Sequence, residues 1–171
     1  MSPAIIFGLQ TALGYVAWLL CFGTYIWPRL KAMDPVGAHR VIATLHSFRF
    51  IGLAFVLPGF VGPNLPSGFA SFLAYGNFAT GLLAILALLA VRVRALFWSL
   101  VVAFNLVGAV DILVDYYHGA EFDLPTLAGQ LGAGYAIPIV YVPLLTITHV
   151  AALYLLVRRQ PKVATAFAIP A

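Results

Sequence analysis

Two ionisable residues, His46 and Arg49, stand three residues apart in the segment ATLHSFRFIGL, residues 43–53, whose other side chains are mostly apolar. Residues at this spacing leave the same face of a helix. Ionisable groups within apolar helices usually face the protein interior or a water-filled cavity. An imidazole there can relay a proton or bind haem iron, and a guanidinium can bind an anionic or carbonyl group. The segment therefore predicts an internal polar site.

Three further apolar segments contribute polar residues that we expect at the same site. Asp111 is the carboxylate that we expect to pair with Arg49, whereas Asp115, one turn further on, is close enough to a helix end to be interfacial. For Tyr75 and Asn77, a hydrogen bond between helices is an equally good interpretation. The candidate ligand-binding residues are His46, Arg49, Tyr75, Asn77, Asn105, Asp111, Thr146 and His149.

The two histidines His46 and His149 fall at similar depths in their segments. Counted at the helical rise from the nearer segment end, each lies about 12 Å in. Thr146 precedes His149 by three residues and shares its face. We therefore expect the two imidazoles to face one another across the bundle and, with Arg49, Asn105 and Thr146, to line one site.

The composition indicates what kind of helices must hold these polar residues. Of the 171 residues, 63% are hydrophobic and 8% are charged, with a mean hydropathy of +1.03. A soluble domain has about 25% charged residues, so this chain is predicted to be an all-α integral membrane protein whose partner is the lipid bilayer. Its nine basic residues form no patch that could follow a phosphate backbone, which excludes nucleic acid as a partner.

The apolar runs predict one transmembrane domain, residues 1–171, with five spanning helices. A span needs about 20 residues, and breaks rich in proline, glycine or charge separate the runs. Pro138 and Pro143 should kink the last span, and Asp123 should cap a short surface helix before it. We place the spans near residues 4–27, 38–60, 67–91, 96–117 and 135–157.

The basic residues predict the orientation, because short cytoplasmic loops are enriched in Lys and Arg. All but Arg49 fall in the segments on one side of the predicted bundle: Arg29, Lys31, Arg40, Arg92, Arg94, Arg158, Arg159 and Lys162. The N-terminus is therefore predicted outside and the C-terminus in the cytoplasm. The expected location is a bacterial inner membrane or a plasma membrane.

Missing residues and motifs exclude several functions. No lysine lies in a predicted span, which excludes a retinal Schiff base, and HExxH, GxSxG and CxxC do not occur. The preferred hypothesis is a protein that binds or translocates a small ligand or protons. One alternative is a small b-type cytochrome, with His46 and His149 as axial ligands of haem b. Another is a membrane enzyme acting on a lipid-soluble substrate, with a histidine as acid or base.

Overall fold

The computed structural model describes residues 1–158, and every regular element in them is helical, as predicted. The α-helices are α1 Pro3–Cys21, α2 Trp27–Ala32, α3 Pro35–Ser47, α4 Ser67–Leu89, α5 Arg94–Glu121 and α6 Val142–Val157. The π-helical segments are Phe22–Ile26 and Ile137–Tyr141, and the 3₁₀ segments are Phe48–Val56, Ala90–Arg92 and Ala128–Tyr135. Two of the predicted cytoplasmic basic residues, Arg159 and Lys162, lie outside the described residues.

Four helical stretches among residues 1–158 are long and apolar enough to cross a membrane, which indicates a membrane protein. They are Pro3–Ala32, Ser67–Arg92, Arg94–Glu121 and Ile137–Val157. The second predicted span, residues 38–60, is not a continuous α-helix. Helix α3 ends at Ser47, the chain continues as the 3₁₀ segment Phe48–Val56, and it then turns.

Close backbone packing against α4 accompanies the change to 3₁₀ geometry. A Cβ atom on Gly81 would lie 2.9 Å from the amide nitrogen of Phe50, and one on Gly52 would lie 2.6 Å from Cβ of Asn77. A 3₁₀-helix has three residues per turn, so residues three apart share one face. The buried residues of this segment, Arg49, Gly52 and Phe55, follow that period. Arg49 is therefore directed into the bundle.

Two apolar clusters occupy the two halves of the bundle. The first cluster contains Phe22, Leu30, Ala38, Ile42, Ala43, Ala84, Ala87, Phe97, Val101, Phe104, Ala151 and Ala152. The second cluster contains Phe55, Leu65, Phe69, Ala70, Ala74, Leu124 and Leu131. Along the chain from α3 to α4, the buried polar residues His46, Arg49, Asn77 and Thr80 fall between members of the two clusters. The middle of the bundle is therefore a polar layer.

Helix α1 packs against the proline-containing segment that begins the last span. Pro143 has no N–H group to donate to the carbonyl of Ile139. A Cβ atom on Gly14 would lie 2.1 Å from that carbonyl oxygen, so α1 covers it closely. The indole Nε1 of Trp18 donates to the neighbouring carbonyl of Val140 at 2.8 Å. The irregular backbone thus faces protein, as the bilayer interior requires.

The prediction of a short helix capped by Asp123 is wrong. Residues 122–127 form turns, and the next helical segment begins at Ala128. Asp123 has a φ of 50°, whereas an N-cap residue has extended backbone geometry. Its carboxylate accepts a hydrogen bond from the hydroxyl of Thr126 at 2.9 Å instead of capping a helix.

Candidate functional site

Arg49 is the centre of the polar layer and is 1% exposed. Its Nε donates to Oδ1 of Asn77 at 2.8 Å, and its Nη1 faces the carbonyl of Gly108 at 3.4 Å and Nε2 of His149 at 3.1 Å. Its Nη2 donates to Oδ2 of Asp111, so the predicted pairing with Asp111 is present. One side chain therefore joins α4, α5 and α6 through four hydrogen bonds.

The hydrogen bonds of His149 define its tautomer. A guanidinium has only donors, so Nε2 of His149 accepts from Arg49. Nδ1 of His149 then donates to Oδ1 of Asn105 at 3.0 Å. The amide nitrogen of Asn105 in turn donates to the carbonyl of Val101 at 2.8 Å. His149 is thus held as the neutral tautomer with its proton on Nδ1.

His46 lies directly against His149, as expected from their similar depths. The ring centroids are 4.0 Å apart with an interplanar angle of 44°. Nε2 of His46 is 3.0 Å from Oγ1 of Thr148, whose hydroxyl proton is directed to carbonyls of its own helix. Nε2 of His46 is therefore the donor. Its Nδ1 is buried and has no partner within residues 1–158.

These positions do not fit a haem. Axial ligation needs a porphyrin plane between the two imidazoles, with one ring nitrogen of each directed at the iron. Here the rings of His46 and His149 are in contact, and both nitrogens of His149 are hydrogen-bonded within the protein. The arrangement of the two histidines is that of a packed polar core.

Two glycines provide the space that the layer occupies. A Cβ atom on Gly108 would lie 2.5 Å from Nε2 of His149, and one on Gly76 would lie 1.6 Å from Oδ1 of Asp111. A larger residue in place of Gly108 would overlap the ring of His149, and one in place of Gly76 would overlap the carboxylate of Asp111. Small residues thus let α4, α5 and α6 approach around Arg49.

Two candidate residues lie outside the polar layer. Tyr75 is 60% exposed. Thr146 is partly buried, where its Oγ1 accepts from the hydroxyl of Tyr15 on α1 at 3.1 Å. Helix α6 buries Pro143, Leu144, Leu145, Thr148, His149, Ala151 and Ala152. The expectation that Thr146 lines the site with His149 is therefore corrected, because Thr148 faces His46 and Thr146 faces α1.

A cavity of about 250 Å³ lies beside the polar layer, toward the second apolar cluster. Its apolar lining includes Phe7, Phe55, Phe69, Leu73, Leu131 and Val142, and its polar lining includes Thr11, Asn77, Asp115 and Tyr116. Asn77 also accepts the hydrogen bond from Arg49, so it joins the cavity to the layer. Oδ1 of Asp115 is buried without a partner within residues 1–158. From the sequence, Asp115 was expected at the membrane interface. Its spacing of one helical turn from Asp111 was the signal that the two carboxylates share a face of α5.

Residues 1–158 form an all-helical bundle with a buried polar layer and an adjoining cavity, and four of its helical stretches indicate a membrane protein. The chain belongs to the family described as "Domain of unknown function (DUF8737)", whose model matches residues 6–157. That range contains nearly all of the helical bundle, including every residue of the polar layer and of the cavity. No curated protein and no solved structure matches the chain.

Proposed function

We propose that this protein binds a small amphipathic ligand in the cavity beside the polar layer. Ligand sites are typically concave and mostly apolar, with a few well-placed polar groups. The observation that supports this function most strongly is that Asp115, whose Oδ1 has no hydrogen-bond partner within residues 1–158, lines a cavity that also shares Asn77 with the Arg49 network. The site residues are then Asp115, Asn77, Thr11 and Tyr116, with Arg49 positioning Asn77.

Binding is favoured over passage through the bundle. Arg49 makes four hydrogen bonds and both nitrogens of His149 are bonded within the protein, so the layer has few groups free for a moving ligand or proton. On the far side of the layer, the first apolar cluster contains bulky residues such as Phe97 and Phe104, both 0% exposed. These features support a cavity that is closed on the side of the polar layer, so that a bound ligand does not pass through the bundle.

The cavity volume indicates the size of a suitable probe. A cavity of about 150 Å³ holds benzene, so about 250 Å³ suits a compact cage molecule such as 1-adamantanol. We expect 1-adamantanol to bind the protein in nanodiscs and to raise its melting temperature, because a ligand that binds the folded state stabilises it. Isothermal titration calorimetry, with empty nanodiscs subtracted, measures the affinity.

A matched pair of substitutions locates the binding. Leu73 lines the cavity, whereas Leu82 on the same helix is exposed. We expect Leu73→Trp to fill the cavity and weaken 1-adamantanol binding at least about tenfold, equivalent to 1.4 kcal/mol, and Leu82→Trp to leave it unchanged. A cooperative thermal transition of each variant confirms folding. Equal affinities in all three proteins, or no binding to any, would contradict the proposed function.

We further propose five spans in a single domain, with the N-terminus outside a bacterial inner or plasma membrane. Helix α3 has 13 residues and the following 3₁₀ segment has 9, which together extend about 37 Å and exceed the hydrocarbon thickness. Gly52 and Gly81 pack this path against α4. Within residues 1–158, the basic residues other than Arg49 lie in α2, in the first half of α3, at the junction of α4 and α5 and directly after α6. This distribution supports a cytoplasmic position for the end of the bundle where these segments lie.

The proposed orientation predicts from which side of the membrane a membrane-impermeant maleimide reaches two positions of the chain. In a Cys21→Ser background, Ser2→Cys should be labelled from outside intact cells, and Met33→Cys, between α2 and α3, only after the cells are opened. Met33 is exposed, so its accessibility does not limit the comparison. Labelling of Ser2→Cys only from the cytoplasm would overturn the proposed orientation.

A further inference from the structure

Among the ionisable groups of residues 1–158 that lie beside the cavity, the partly buried carboxylate of Asp115 has no cation as partner. Arg49 is the basic side chain of the polar layer, and its ion pair is with Asp111. His149 accepts from Arg49 and is therefore uncharged. Asp115 has no basic partner within residues 1–158. A carboxylate inside an apolar helical bundle requires a cation or a proton as compensation.

We propose that the cavity binds a lipophilic organic cation, with the ammonium group on Asp115 and the apolar body among Phe7, Phe55, Phe69 and Leu73. The inference rests on the proposed ligand-binding function of this cavity and names the class of ligand. The carboxylate of Asp115 lines the cavity, and its Oδ1 has no hydrogen-bond partner within residues 1–158, so an ammonium group in the cavity would supply the compensation that the protein does not. Aromatic side chains favour a cation when it lies over their ring faces.

The cavity lining offers little to an anion. None of its residues, all within the described part of the chain, is Lys, Arg or His. The side-chain nitrogen of Asn77 donates to the carbonyl of Leu73, and the hydroxyl of Thr11 donates to the carbonyl of Phe7. The hydroxyl of Tyr116 is hydrogen-bonded to that of Tyr15. Each of these three side chains thus makes a hydrogen bond within the protein, whereas Oδ1 of Asp115 has no partner within residues 1–158.

Three probes with the same cage and different head groups test the charge preference. They are 1-aminoadamantane, a cation at neutral pH, the neutral 1-adamantanol, and the anion adamantane-1-carboxylate. With the protein in zwitterionic nanodiscs, we expect the amine to bind at least about tenfold more tightly than the alcohol, and the carboxylate to bind most weakly. Isothermal titration calorimetry measures all three affinities.

Two substitutions test the assignment to Asp115. Asp115→Asn keeps the shape of the side chain and removes its charge, so it should abolish the preference for the amine and change the affinity of the alcohol less than about threefold. Glu121→Gln is the matched control, because Glu121 is an exposed carboxylate of the same helix that pairs with His118 outside the cavity lining. It should retain the full order of affinities.

The outcomes separate this inference from the proposed function. An amine that binds no more tightly than the alcohol, or a folded Asp115→Asn protein that still prefers the amine, overturns the cation assignment and leaves the ligand-binding cavity in place. Failure of all three probes to bind overturns the proposed function, and the cation assignment with it. Comparison of the probes on the unmutated protein does not depend on the folding of any variant.

Discussion

Arg49→Met is expected to lower the free energy of unfolding by about 3–5 kcal/mol, the usual cost of removing one partner from a buried ion pair. The variant leaves the carboxylate of Asp111 in the polar layer without its cation. It also leaves Oδ1 of Asn77 and Nε2 of His149 without their donor. Reversible denaturation in mixed micelles, with the linear extrapolation to zero denaturant, measures the change.

The double variant Arg49→Met, Asp111→Leu should recover part of this loss, because it removes the uncompensated charge along with its partner. An exposed pair provides the control. Glu121 accepts a hydrogen bond from His118 at the exposed end of α5, and Glu121→Gln should change the stability by no more than about 1 kcal/mol. Additive losses from Arg49→Met and Asp111→Leu would show that the two side chains do not interact in the folded protein.

His149→Leu is expected to destabilise the protein more than His46→Leu. Loss of the His149 ring leaves Oδ1 of Asn105 without its donor and Nη1 of Arg49 with only the longer contact to Gly108. Each buried polar group left unpaired costs about 1–3 kcal/mol, and more when it is charged. His46 makes one hydrogen bond, to Thr148, whose hydroxyl keeps its bonds to Leu144 and Leu145.

The comparison is internally matched, because both histidines are buried, touch one another and are replaced by the same residue. The same denaturation measurement gives both values. A larger loss for His46→Leu would contradict the hydrogen-bond assignment in the polar layer, including the tautomer of His149.

The sequence predicted the central contacts of the polar layer better than the orientation of α6 beside it. Equal depth along two apolar segments was enough to place His46 beside His149, and only one deep carboxylate, Asp111, was available for Arg49. The faces of α6 were less predictable. Thr146 and Thr148 have the same chemistry, and the rotation that buries Thr148 depends on how α6 packs against its neighbours, which helical periodicity alone does not specify.

Long-range packing determined the features that the sequence did not reveal. The 3₁₀ geometry of residues 48–56 accompanies contact between Gly52, Gly81 and their facing backbones, which are distant in sequence. The cavity needs Leu124 and Leu131, from the connection between α5 and the last span, to cover α4 and α5. Without these two residues, Asp115 would be a residue near a helix end and would not line a cavity.

Photoaffinity labelling with an adamantyl diazirine, followed by mapping of the modified residues, tests most directly whether the cavity is a ligand site. The probe also enters lipid, so the informative signal is the labelling that excess 1-adamantanol displaces. We predict displaceable labelling at cavity residues such as Phe69, Leu73 and Leu131, and non-displaceable labelling at exposed residues such as Leu82 and Leu106. Labelling confined to the exposed residues, or unaffected by 1-adamantanol at every position, would contradict a ligand-binding cavity beside the polar layer.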